Sequence, residues 1–205
     1  MKKNKKYPIY HWGIKQGTEE WLNCRKGKLS ASNAQAIAAN GKGLETYIYK
    51  LLTEKYSQNT EHYTNADIER GVELEPIARD TYTIETGNEV EEVGFVEMDQ
   101  YVLASPDGLV GKDGGIEIKC VNDVNFFKLL VDGERAIESK YLWQCQMFLF
   151  VTGRKWIDLV FYNPNFDKNL LIFRVEPEVA KQEKLMVGIE KGKKLILEIS
   201  KKYKY

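Results

Sequence analysis

At Gly87 the spacing of apolar residues changes, and that change decides which class of fold the chain can adopt. Before it, apolar residues recur three and four apart, as on one face of a helix. Gly17-Thr18-Glu19-Glu20 ahead of Trp21, Leu22 and Arg25 reads as a helix start with Thr18 as N-cap. Ser30-Ala31-Ser32-Asn33 restarts a helix that runs through Ile37 and ends near Asn40-Gly41. Leu44 to Tyr56 places Leu44, Tyr47, Ile48, Leu51 and Leu52 on one face, and Ala66 to Thr86 forms a fourth helix closed by Gly87. After Gly87 the period is two, and Val90, Phe95, Tyr101 and the run Ile116 to Val121 predict three antiparallel strands of a meander. Helical spacing returns over Phe126 to Leu130 and Lys140 to Phe150. Trp156 to Tyr162 and Leu170 to Val175 then read as strands, and Pro177 to Lys201 as a long terminal helix. A mixed sheet with helices on both sides follows, which is α/β in the broad sense. With 205 residues, no internal repeat and no Pro/Gly/Ser linker, residues 1–205 are expected to form a single domain.

Composition removes several kinds of chemistry. The two histidines, His11 and His62, leave little material for a His-rich metal site or a His-based nucleophile relay. Cys24, Cys120 and Cys145 are odd in number and far apart, so neither a disulfide framework nor a C-x-x-C zinc site is expected. No phosphate-binding glycine loop of the ATPase or dinucleotide type occurs. No apolar run is long enough for a membrane span, and MKKNKKYPIY lacks the apolar segment of a secretory signal. A cytoplasmic protein is therefore expected. Any metal has to sit on carboxylates, which favours Mg²⁺, with Mn²⁺ as the alternative.

The net charge of zero hides a segregation. Residues 61–100 hold twelve acidic and two basic side chains, so the remainder carries an excess of ten positive charges. That excess lies at Lys2, Lys3, Lys5 and Lys6, around Arg25, Lys26 and Lys28, and from Lys191 to Lys204. A surface divided in this way can hold a polyanion on one side without net charge.

The stretch SPDGLVGKDGGIEIKC, Ser105 to Cys120, holds two turn sequences and a short strand. Read alone, Glu117 and Lys119 would form the wet face of a half-buried strand, alternating with Ile116, Ile118 and Cys120. Read as chemistry, the hairpin brings Asp107 alongside Glu117, and two carboxylates in that relation repel unless a divalent cation lies between them. Lys119 beside them suits activation of a water or stabilisation of developing phosphate charge.

Pro106-Asp107 with Glu117-x-Lys119 resembles the P-D-(D/E)-x-K nuclease signature. The neighbouring runs Trp21-x-x-x-Arg25-x-Gly27, Ser30-Ala31-Ser32, Gly71-x-x-x-Glu75-Pro76-x-Ala78-Arg79, Ser105-Pro106-Asp107-Gly108, Glu117-Ile118-Lys119-Cys120 and Tyr141-x-x-Gln144-x-Gln146 resemble, in order, the phage lambda exonuclease family of YqaJ-like viral recombinases. The resemblance implies a restriction-endonuclease-like core and a 5′→3′ exonuclease that digests one strand of linear duplex DNA to mononucleotides. It implies divalent ions on Asp107, Glu117 and the carbonyl of Ile118, with Lys119 acting on the attacking water. Glu75 would be a helix carboxylate near the same ions, and Gln144 a helix amide orienting the site. Arg25, Ser32 and Ser105 would receive a 5′-terminal phosphate. The implied partners are double-stranded DNA ends, a phage single-strand-annealing protein and two further copies in a homotrimeric ring. Val121 departs from the family pattern, since many relatives have proline after the cysteine. Taken one by one, these residues have simpler readings: Glu75–Arg79 as a surface ion pair, Ser32 as a helix cap, Trp21 and one of Gln144 and Gln146 as core.

Overall fold

The computed structural model describes residues 8–58 and 66–203. Nine short strands form two sheets among these residues. The larger sheet runs β3 (Val90–Glu91), β6 (Gly108–Val110), β7 (Gly114–Lys119), β8 (Ile157–Tyr162) and β9 (Leu170–Val175), in that spatial order. All its neighbours are antiparallel except β7 and β8, which pair in parallel from Ile116↔Asp158 to Lys119↔Phe161. A parallel pair needs a crossover. Here α5 (Asp123–Asp132) and α6 (Ser139–Thr152) supply it.

Both faces of this sheet are covered. On one face α4 (Ala66–Thr86) lays Ala78 and Tyr82 against Ile116, Ile118 and Val160. On the other, α6 packs Met147, Phe148 and Val151 into the main core with Leu159 and Phe161. Strands buried on both sides lose the alternation that marks a half-exposed strand, and every residue of β8 is buried.

The smaller sheet runs β1 (Ile9–His11), β4 (Phe95–Asp99), β5 (Val102–Ala104) and β2 (Leu29–Ser30). The expected meander is therefore corrected: β3 belongs to one sheet, and β4 and β5 belong to the other. The chain changes sheets at Ser105-Pro106, where proline offers no N–H to a ladder. Strands of two or three residues such as β1 and β2 carry no readable period.

The predicted helices occur close to their expected bounds. Thr18 caps α1 (Glu19–Arg25), its hydroxyl accepting from the Trp21 amide at 3.3 Å. The run expected to be helical from Ser30 is instead β2, a 3-10 turn over Ala31–Asn33 and α2 (Ala34–Ala39), which Asn40 ends at φ 54. α3 (Lys42–Tyr56) buries Leu44, Ile48, Leu51 and Leu52 as its spacing predicted. α7 (Val179–Tyr203) lies against α2 so closely that a Cβ on Gly188 would sit 1.9 Å from the Ile37 carbonyl oxygen. Among the described residues no helix is long and apolar enough to cross a membrane. The cysteines are free, and only Cys145 is fully buried. Lys2, Lys3, Lys5, Lys6, His62 and Lys204 lie outside the described residues.

Candidate active site

The hairpin of β6 and β7 is held tight by contacts that leave no room for side chains. A Cβ on Gly108 would lie 2.2 Å from Val90, on Gly114 2.1 Å from the Trp156 ring and on Gly115 2.5 Å from Phe148. Gly111 makes the reversal with φ +51. Arg154 steadies the same turn by donating to the carbonyls of Gly111 at 2.9 Å and Gly114 at 2.6 Å. With Gly108 paired to Ile116, the next residues outward are Asp107 and Glu117. The Asp107 amide donates to the Ile116 carbonyl at 3.2 Å, and the Ile118 amide donates to Asp107 Oδ2 at 2.6 Å.

Alternation along β7 sends Ile116, Ile118 and Cys120 to the α4 face and Glu117 and Lys119 to the α6 face. The wet-face reading fails there, because Glu117 is only 3% exposed. Lys119 Nζ donates to Glu117 Oε1 at 2.6 Å and lies 5.3 Å from the centre of the Tyr141 ring. Gln144, one turn further along α6, donates to the same Glu117 oxygen. Gln146 has the structural task instead: it is fully buried, donates to the Glu176 carbonyl at 2.7 Å and accepts from the Glu178 amide at 2.9 Å.

Glu75 approaches from α4. Arg79 clamps it at 2.6 Å, reaches Glu92 at 3.0 Å and donates through Nε to the Asp107 carbonyl at 3.1 Å. The Glu75–Arg79 pair is thus part of the site's frame and not a detached surface pair. Arg79 was missing from the expected set, although its i,i+4 relation to Glu75 inside an acidic stretch was a legible signal.

The electrostatics show too few positive charges for the acids present. Burial, then the Asp107 charge, pushes Glu117 up to about 8. Burial likewise raises Asp107, against the pull of Lys119 and the Ile118 amide. Glu75 rises to about 7 through burial and the Asp107 charge. Burial works against the Lys119 ammonium, yet the attraction of Glu117 and Asp107 outweighs it and holds the pKa above the ordinary lysine value. Among the described residues, no three His, Cys, Asp or Glu side chains converge as a ready-made metal cage. An ion here would take two carboxylates and complete its shell with carbonyl, water or phosphate oxygens, which is the habit of Mg²⁺.

Of the three residues expected to receive a phosphate, the fold brings Arg25 and Ser105 together. Arg25 donates to the Ser105 hydroxyl, stacks 4.2 Å from the Trp21 ring centre and lies within electrostatic reach of Glu117. Burial lowers its pKa, opposed by Tyr47, Glu117 and Glu54. Trp21 donates to the Gly94 carbonyl at 2.8 Å, so it anchors α1 as well as backing Arg25. Ser32 is exposed on the 3-10 turn and bonds the Ser30 hydroxyl at 3.1 Å, apart from the Arg25–Ser105 bond; it makes no capping bond. Beside the carboxylates opens a cleft of about 460 Å³ bordered by Gly71, Lys119, Cys120, Asn122, Asn125 and Tyr141.

Residues 20–155 match the YqaJ-like viral recombinase domain. An alkaline exonuclease from Laribacter hongkongensis, LHK-Exo, has a similar structure, with TM-score 0.78 and 32% identity over 91% of this chain and 98% of that chain. The same values hold for LHK-Exo in complex with dAMP. A phage related exonuclease from Haemophilus somnus 129PT shares the fold at TM-score 0.68 and 13% identity, covering 89% of this chain and 99% of that one. No curated protein matches the chain.

Proposed function

Because the chain belongs to the YqaJ-like viral recombinase family, we propose that it is a DNA nuclease, and within that class a metal-dependent 5′→3′ exonuclease acting on linear duplex ends. One observation carries the reading: Asp107 and Glu117 oppose each other at the open end of a hairpin, with Lys119 bonded to the more buried acid. Asp107, Glu117 and the Ile118 carbonyl would hold Mg²⁺ or Mn²⁺, and burial that raises both carboxyl pKa values marks acids whose charge a bound cation would offset. Such an ion, when bound, polarises a phosphodiester oxygen and makes a water acidic.

The chain's own groups account for the rest. Lys119, bonded to Glu117, is placed to act on the attacking water and to neutralise charge that grows on the phosphate. Gln144 keeps one Glu117 oxygen turned to α6. Arg79 keeps Glu75 and the Asp107 backbone in place. Arg25 and Ser105 offer a guanidinium and a hydroxyl to a terminal phosphate, whose extra charge distinguishes it from an internal diester. A terminal phosphate seated there sets the cut close to the 5′ end and so releases mononucleotides.

The 3′ single strand left behind is the substrate of an annealing protein, and a ring of three copies would retain the duplex between cuts. Sedimentation at micromolar concentration, with a competitor-DNA test of processivity, checks the ring. A monomer that digests distributively would remove it and leave the site assignment standing. For the activity itself, 5′-labelled linear duplex and a closed circle are incubated with Mg²⁺ or with chelator. Labelled mononucleotide should leave the linear duplex only with Mg²⁺, and the circle should survive. Cutting of the circle would make the protein an endonuclease, and prior release from a 3′ label would reverse the polarity.

A further inference from the structure

The acidic stretch 61–100 contains two basic residues, Arg70 and Arg79, both on α4. Arg79 is fully engaged, with Glu75, Glu92 and the Asp107 carbonyl as partners. Arg70 is not. Its Nη2 is buried and has no hydrogen-bond partner among the described residues. A buried guanidinium N–H without an acceptor is rare and costly, and because Arg70 as a whole is only half-buried, an acceptor arriving from outside the protein can meet it.

The place of Arg70 says what that acceptor is. It precedes Gly71, which borders the cleft, and its charge acts on Cys120 and Asp123. Asp123 does not satisfy it, being bonded instead by Asn163 at 2.9 Å and Asn165 at 3.0 Å. Cys120 points to the α4 face of β7, whereas Glu117 and Lys119 point to the α6 face, where Arg25 is felt. The two guanidiniums therefore approach the end of the hairpin from opposite faces of the sheet. Asn122 caps α5 at the cleft, so the partly positive end of that helix also faces an entering anion.

We propose that Arg70 binds the DNA backbone one linkage beyond the cut: with the terminal phosphate on Arg25 and the scissile linkage at Asp107 and Glu117, Arg70 takes the next phosphodiester in the 3′ direction. The inference rests on the nuclease reading above and names a contact within it. Its consequence is a ruler of three successive phosphates. The charge of the third is read across the cleft by a residue that touches no reacting atom.

The test uses duplexes carrying one uncharged methylphosphonate, placed either at the second phosphodiester from the 5′ end or several linkages further in, and single-turnover release of the first nucleotide. Wild type should be slowed on the order of 10–100-fold by the near substitution, and little by the far one. Arg70→Gln should be slowed by a similar factor on natural DNA and lose its sensitivity to the near substitution. Arg70→Lys should recover part of the rate. Because Arg70 Nη2 has no hydrogen-bond partner among the described residues, Arg70→Gln should melt no lower than wild type, which separates substrate contact from a folding role. An Arg70→Gln protein that cuts natural DNA at the wild-type rate, keeps the methylphosphonate sensitivity or melts several degrees lower overturns the proposal. Wild type that fails to cut unmodified duplex in Mg²⁺ would instead overturn the nuclease reading.

Discussion

Replacing Glu117 by Gln should stabilise the metal-free protein while destroying its activity, and the size of the gain should depend on pH. Glu117 is raised from 4.5 to about 8 by burial and by Asp107. The sign follows from that direction: below the ordinary carboxyl range the group is protonated in folded and unfolded chains and no penalty exists. As pH rises toward about 8, only the unfolded chain ionises freely, and the fold loses stability. At about 1.4 kcal/mol for each pKa unit, full ionisation would cost about 4–5 kcal/mol. Relaxation and water from the cleft reduce this to about 2–3 kcal/mol. The Gln amide retains an oxygen for Lys119 and Gln144 without carrying the charge. For a chain of this size each kcal/mol moves the melting temperature by about 2–4 °C, so Glu117→Gln should melt roughly 4–12 °C above wild type at pH 9 in chelator. Near pH 5 the two should coincide. Mg²⁺ should raise the wild-type melting temperature at pH 9 and leave the variant unchanged, since a ligand that binds only the fold stabilises it. Thermal melts from pH 5 to 9 with chelator or Mg²⁺ make the measurement. A variant less stable than wild type at every pH in chelator would mean that Lys119 already balances Glu117, and the argument that these acids call for a cation would fail.

Lys119→Ala should lower single-turnover hydrolysis by at least ~100-fold while keeping most of the Mg²⁺-dependent rise in melting temperature, because the lysine supplies charge to the reaction and not a metal ligand. Arg25→Ala should narrow the rate difference between 5′-phosphorylated and 5′-hydroxyl duplexes; an unchanged ratio in a competition assay would give Arg25 another task. Gly114→Ala puts a methyl 2.1 Å from the Trp156 ring and should cost about 1–3 kcal/mol by denaturant unfolding. The double variant Gly114→Ala/Trp156→Leu should lose less than the two single effects added together, because they share one contact.

The sequence alone determined whatever is local. Helix spacing located α3 and α7 because one face of each has to be apolar whichever partner covers it. Thr18 and Gly87 could be read as end signals because capping and positive φ are properties of one or two residues. The order of motifs named Asp107, Glu117 and Lys119, and the glycines between them announced a reversal that would align them. Tertiary structure decided everything that rests on what lies opposite. Periodicity cannot tell a strand covered on both faces from one that is wet on one side, so the burial of Glu117 had to come from α6 packing over β7. Alternation says nothing about which sheet a strand joins, so the division of β3, β4 and β5 between two sheets was not legible. Arg70 and Arg79 are alike in sequence, two arginines on one acidic helix. Only the fold gives Arg79 three acceptors and leaves Arg70 Nη2 with none among the described residues, because a hydrogen bond depends on atoms brought together from distant parts of the chain.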